Sequence, residues 1–163
     1  ERSRGLGDVY KRQNKEYLEL LTSKMYIEML KYNIFRSLEH KSSQGEYTEL
    51  APIGYKNIRD KQNRSEIIAD TKQAPIVVEL FNAFATGQYT IKQLTKLAVS
   101  LALSSRQGKS VSESCISNML KNPFYCGEFC IKGKIYPHKH PKLIEKSLFD
   151  TVQTIMKSQK GNK

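Results

Sequence analysis

The sequence has 163 residues, with 27 Lys and Arg against 16 Asp and Glu and a formal net charge of +11. That length suits one domain with an appendage, and no apolar run reaches the length of a membrane span. Three cysteines, an odd number, argue against a secreted disulfide framework and for a reducing cytoplasm, while the charge favours a polyanionic partner over a merely soluble surface.

The first thirteen residues are set apart from the fold. Asp8 to Gln13 reads DVYKRQ, the in-frame translation of a transposase mosaic end used in sequencing libraries, so residues 1–13 are expected to be a scar. A natural basic arm is the alternative. Native sequence is then expected from near Asn14, inside a longer gene. Residues 14–50 hold five basic and six acidic groups, and residues 51–163 hold eighteen basic and eight acidic.

Residues 14–44 lack Gly and Pro and carry two apolar stripes, one through Leu20, Ile27, Leu30, Ile34 and Leu38, the other through Leu18, Leu21, Met25, Met29 and Tyr32. The pattern predicts a long helix packed on two sides, against its own domain and against a partner helix. Gly45 ends it, and residues 45–53 read as a linker. A hairpin is expected from Tyr55–Ile58 and Glu66–Ala69, with Arg59, Lys61 and Arg64 in its loop. Pro75 suits the first turn of a helix with a core face of Ile76, Val77, Leu80, Phe81 and Phe84 that ends at Gly87.

Two short helices follow, each with a capping-box start signal, Thr90 with Gln93 and Ser110 with Glu113. The first is expected to bury Ile91, Leu94, Leu97, Ala98 and Leu101. The second, over 111–121, is expected to bury Cys115, Ile116, Met119 and Leu120. It would turn Ser114, Ser117, Asn118 and Lys121 outward, with Arg106, Gln107 and Lys109 in the connection before it. Gly127–Ile131 and Lys134–Tyr136 predict a second hairpin around Lys132 and Gly133. A last helix begins near Glu145, with Leu148, Phe149, Val152, Ile155 and Met156 inward, and residues 158–163 form a basic tail. The fold class is α+β: a mostly helical domain over 54–157, with two small hairpins, preceded by the long helix.

Two short helices of which the second has a small polar outer face form a helix-turn-helix-like pair, sized for the major groove of DNA. Ser and Asn there can meet base edges, and Lys121 suits phosphate or guanine. An ordinary helical hairpin is the competing reading, and the connection is longer than the tightest turns of this kind. Cys126, Cys130, His138 and His140 offer a rival constellation, a small zinc-dependent enzyme, but their spacing is unlike that of structural zinc sites. Neither a metal nor a cofactor is expected.

The wording of the sequence narrows these alternatives. Gly45 to Tyr55 (GEYTELAPIGY), then Ile68, Asp70, Ala74, Pro75, Val77 and Phe81, then Gly87 and Ile91, then Ser112 to Gly127 (SESCISNMLKNPFYCG) resemble the recombinase domain of large serine recombinases, the phage integrases and mobile-element resolvases. His140, Pro141, Leu143, Ile144, Leu148, Phe149, Val152 and Gln153 match that family's closing signature. Tyr26, Leu30, Asn33, Arg36 and Lys41 sit where its long linking helix carries comparable residues.

The resemblance implies sequence-selective binding of double-stranded DNA at half of an attachment site during integration or excision. It also implies subunit pairing through the long helix and a linker from Ser42 to Pro52 that follows the minor groove. The family's catalytic domain, whose serine attacks the backbone phosphate to give a phosphoseryl bond, would lie before Asn14, and a zinc ribbon and coiled coil would follow. No serine here matches the nucleophile motif, so none is assigned as catalytic. The expected DNA contacts are Arg59, Arg64, Arg106, Gln107, Lys109, Ser114, Ser117, Asn118 and Lys121. A helix-turn-helix transcriptional regulator remains the runner-up.

Overall fold

One helix, α1 (Arg2–Ser43), runs through the first quarter of the chain and stops where Gly45 takes a φ of +75° and donates its amide to the Ser42 carbonyl. The computed structural model describes residues 2–59, 65–105, 107–131 and 133–161, and the side chains of all of these except 2–9, 160 and 161. The chain divides into two compact units, Glu1–Lys41 and Ser42–Lys163. The first is the body of α1, whose helical backbone continues without a break through residues 2–13. Both apolar stripes of α1 lie largely exposed, from Leu18 and Leu20 to Met29 and Ile34, and Leu38 is half-buried.

The second unit begins with strands β1 (Tyr55–Arg59) and β2 (Ser65–Ala69), which pair antiparallel with Tyr55 opposite Ala69 and Arg59 opposite Ser65. Gly54 leads into this hairpin at a φ of +92°, and a Cβ there would sit 3.0 Å from Val77 Cγ2. Glycine is therefore needed on both backbone and steric grounds. Behind β2, the Asp70 carboxylate accepts from the Lys72 amide at 3.0 Å and pairs with Lys56 Nζ at 3.0 Å. The amide bond first, and the ammonium after it, hold this carboxyl below the usual carboxylate range.

Helix α2 (Ala74–Ala85) starts with Pro75 in its first turn and buries Val77, Leu80, Phe81 and Phe84, the i, i+3, i+4, i+7 stripe of an amphipathic helix. Helix α3 (Ile91–Ser100) is capped as its sequence demands, with Thr90 and Gln93 exchanging both halves of a capping box. Helix α4 (Glu113–Lys121) starts later than expected. Its cap is Ser112, whose hydroxyl accepts from the Cys115 amide, because Ser110 is committed to a bridge with Ser104 and Val111 is buried. The Ser110–Glu113 box does not form.

After α4 comes an element the sequence pattern did not predict, a 3-10 turn over Pro123–Cys126, with Gly127 ending it at a φ of +101°. Strands β3 (Glu128–Ile131) and β4 (Lys134–Pro137) then pair antiparallel, and α5 (Lys146–Gly161) packs its Val152 and Met156 side into the core against α2 and α4. Lys132, expected in the turn between the strands, lies outside the described residues. No helix among the described residues is long and apolar enough to cross a membrane.

The core converges on Phe124 and Tyr125, both essentially without solvent exposure. Phe124 meets the rings of Tyr47, Tyr55 and His138 at centroid distances of 4.6, 5.0 and 4.2 Å. The Tyr125 hydroxyl donates to the Ile53 carbonyl at 2.7 Å, and Tyr55 donates to the Pro141 carbonyl at 2.8 Å. Burial pushes the Tyr55 hydroxyl well above the usual tyrosine range.

The two histidines beside this stack are held neutral. His138 Nε2 donates to the Phe124 carbonyl at 2.7 Å, and its Nδ1 accepts from the His140 amide at 3.1 Å, which fixes the tautomer. Burial lowers the pKa of both rings; repulsion from Lys142 adds to this at His138, and for His140 repulsion from His138 and Lys139 outweighs attraction from Glu66. A group with a depressed folded-state pKa takes up its proton more readily when unfolded. Its contribution to stability is thus present above about pH 6.5 and is lost as pH falls toward the folded-state value. The urea midpoint of unfolding is expected to be flat from pH 8 to 7 and to fall from about pH 6.5 downward. A midpoint unchanged down to pH 5 contradicts this account of the histidine pair.

Candidate nucleic-acid interface

Helix α4 has one buried side and one open side. Ile116, Met119 and Leu120 face the core, while Ser114, Asn118 and Lys121 are exposed. Ser117, expected to be outward, is half-buried, as is Cys115. The side chain of Ser114 is engaged locally, 2.9 Å from the Ser112 hydroxyl. Among the described residues, Asn118 has no hydrogen-bond or charged partner.

Both ends of α4 are fixed. At its C-terminus, Gln153 Nε2 of α5 donates to the Leu120 carbonyl at 2.7 Å, and Asn122 Oδ1 accepts from the Phe124 amide at 3.0 Å. These contacts satisfy groups that a helix end leaves open, and they set the direction in which the exposed side points.

The connection from α3 to α4 is a small looped ribbon rather than a tight turn. Ala102 takes a φ of +59°, Leu103 donates back to the Ala98 carbonyl at 2.9 Å, and Ser104 bridges Ser110. Inside it, the Ser105 amide donates to the Lys109 carbonyl at 2.7 Å, and the Lys109 amide returns to the Ser105 hydroxyl at 3.2 Å. The ribbon is tethered to α2 by Gln73 Oε1, which accepts from the Ser104 amide at 3.1 Å. Gln107 and Lys109 are exposed at its tip.

Two sequence-predicted residues from different segments meet here. Gln107 of the ribbon and Asn118 of α4 line one open cavity of 370 Å³. Arg59, at the end of β1, is exposed and is not among the residues lining that cavity. Arg64 and Arg106 lie outside the described residues. Sequence reasoning missed the lining residues Pro52 and Ile53, because nothing in a linear pattern links them to a helix more than fifty residues later. Asn122 carried a signal in its Asn-Pro step but was not read as part of the site.

The helix carries little charge of its own, only Glu113 and Lys121, whereas α3 adds Lys92 and Lys96 with no acid. Positive charge is thus carried more by the neighbouring helix and ribbon than by α4 itself. Such an arrangement suits a surface where cations hold a polyanion and uncharged amides meet its interior.

A family model described as Recombinase matches residues 71–159. Among solved structures, the chain is 21% identical to one described as "Crystal Structure of a LSR-DNA Complex", with a TM-score of 0.64 over 78% of this chain and 38% of that one. A second, described as "Sequence Requirements of the Listeria innocua prophage attP site", is 21% identical with a TM-score of 0.61 over 76% of this chain and 50% of that one. The chain therefore shares their fold and spans half or less of their length. No curated protein matches it.

The Cys and His residues were the rival constellation, and their geometry spends them elsewhere. Both His138 ring nitrogens are engaged with backbone. Cys126 is buried with its Sγ 3.1 Å from the Pro123 carbonyl, and burial raises the pKa of the thiol, which disfavours the thiolate a metal requires. His140 Nε2 is buried without a partner, Cys130 is exposed on β3, and among the described residues no three potential ligands gather. Treatment with a chelator is expected to leave the melting temperature unchanged. Stoichiometric zinc by elemental analysis, with unfolding on chelation, would show that the buried histidines serve a metal instead.

Proposed function

The chain belongs to the Recombinase family, and we propose that it binds duplex DNA as the site-reading part of a site-specific serine recombinase, recognising half of an attachment site. The observation that carries this reading is the exposed side of α4, where the Asn118 amide has no partner among the described residues and shares a cavity with Gln107 of the ribbon. A helix anchored at both ends with a polar outer face can enter the major groove without rearrangement. The proposed DNA contacts are Arg59, Arg64, Arg106, Gln107, Lys109, Ser114, Ser117, Asn118 and Lys121. The LSR–DNA structure that shares the fold supports the duplex-DNA reading.

Strand cleavage and exchange are assigned to a serine domain of the parent protein, and binding and positioning to this chain. Residues 14–44 are the linking helix, and the exposed stripes of α1 are proposed to pair with the same helix of a second copy, since apolar rows at this spacing need cover. Residues 45–53 form the linker, 54–157 the reading domain and 158–163 a basic tail, with 1–13 a library scar. Work on genomic DNA assigns the protein to the cytoplasm.

With about five phosphate contacts, the logarithm of affinity is expected to fall against that of salt concentration with a slope of about −4 to −5. Asn118→Ala should cost about 1–3 kcal/mol on the cognate duplex and little on a scrambled one. Lys109→Ala should weaken both alike and reduce the salt slope by about one. A paired binding assay on the two duplexes checks this. If Asn118→Ala weakens both equally, or neither, α4 is not the reader.

A further inference from the structure

The cavity between α4 and the linker has more structure than a groove beside a reading helix needs. Cys115, Asn118 and Met119 line it from α4 at i, i+3 and i+4, and Asn122 lines it just past the end of the helix. Ile53 of the linker and Gln107 of the ribbon line it as well. Most polar atoms around it are already spent. The Tyr125 hydroxyl is bound to the Ile53 carbonyl, Asn122 Oδ1 to the Phe124 amide, and the Ser105 hydroxyl to the Lys109 amide. Among the described residues, Gln107 and Asn118 bring wholly uncommitted side-chain amides to this cavity, and Asn122 one of which only the Oδ1 is bonded, next to the apolar surfaces of Ile53, Cys115 and Met119.

An amide beside an apolar wall matches the major-groove edge of one base pair. Adenine offers N6–H and N7, which a carboxamide can bond in bidentate fashion, and its thymine partner offers a methyl group with no hydrogen-bonding capacity. Cytosine has no group to place against Ile53, and guanine turns two acceptors toward an amide that has only one donor side to give. We propose that this cavity is a reading pocket for a single A·T pair, with the Asn118 amide on adenine and the thymine methyl against Ile53 and Cys115. At 370 Å³ the cavity admits the methylated edge while the base stays stacked. Lys109 and Lys121, both exposed, flank it with the charge a duplex requires. The proposal rests on the DNA-binding reading above and adds the identity of the base pair.

The test uses the intact chain and a duplex that it selects for itself from a random-sequence library. In that duplex each thymine is replaced in turn by deoxyuridine, which removes only the methyl, and each adenine by 7-deazaadenine, which removes only the N7 acceptor. One thymine is expected to lose about fourfold in affinity when demethylated, as for one buried methylene-sized group. The adenine paired with it should lose about tenfold or more. Ile53→Ala should remove the deoxyuridine penalty and Asn118→Ala the deazaadenine penalty. Should Ile53→Ala fail to fold, the two scans on the unchanged chain still decide. Tight binding of the selected duplex with a deoxyuridine scan flat within about twofold at every position overturns the pocket and leaves DNA binding standing. A methyl penalty that Ile53→Ala leaves intact also overturns it, because the methyl is then read elsewhere. Failure to select or bind any duplex sinks both readings together.

Discussion

The turn from Asn122 to Gly127 is the constraint on which the second unit depends, because it joins the end of α4 to the core, to the linker and to the second hairpin at once. Asn122 closes the turn on the Phe124 amide, and the Phe124 carbonyl takes hydrogen bonds from His138 Nε2 at 2.7 Å and from the Gly127 amide at 3.2 Å. The Tyr125 carbonyl accepts from both Leu143 and Ile144 at 3.1 Å, while its hydroxyl reaches back to Ile53. The two aromatic side chains thus bury large apolar surfaces, while their backbone carbonyls and the Tyr125 hydroxyl satisfy polar groups from distant segments. Truncating Phe124 would cost about 3–5 kcal/mol by loss of burial and cavity formation alone, a large share of a small domain's stability.

This arrangement explains how a helix as short as α4 is held in the fixed geometry that the proposed reading requires. Nine residues are too few for stability on their own, so its geometry comes from tertiary contacts. The buried side sits on α3 and α5, the N-terminus is capped by Ser112, and the C-terminus is tied by Gln153 and by the turn that follows. The polar side is then left free by construction rather than by accident. Charge is placed in the ribbon before the helix, where Gln73 holds the base and Lys109 is exposed.

Much of this was legible in the sequence, and the reasons are local. The capping box at Thr90, Pro75 in the first turn of α2, the glycine stop at Gly87 and the hairpin of β1 and β2 all act within a few residues, and the structure has each of them. The Ser110 capping box failed because a second local signal, the bridge to Ser104, holds the same backbone. Asn122 and Pro123 were read as family wording rather than as a 3-10 turn, since Pro after α4 signals only that the helix must end. What could not be read were long-range bonds between polar groups, such as Gln73 to Ser104 and Gln153 to Leu120. The cavity wall at Ile53 was hidden for the same reason. Nothing in hydrophobic periodicity records which side chain will meet which backbone carbonyl thirty residues away.

The central claim is that DNA meets this chain on the ribbon and open side of α4, and backbone amide NMR during titration with a duplex tests it most directly. The account predicts that the largest shifts fall between Ser104 and Lys121 and around Ile53, with the α5 amides nearly still. Shifts concentrated on α5 or on the β3–β4 hairpin, with Asn118 and Lys109 unmoved, would contradict it.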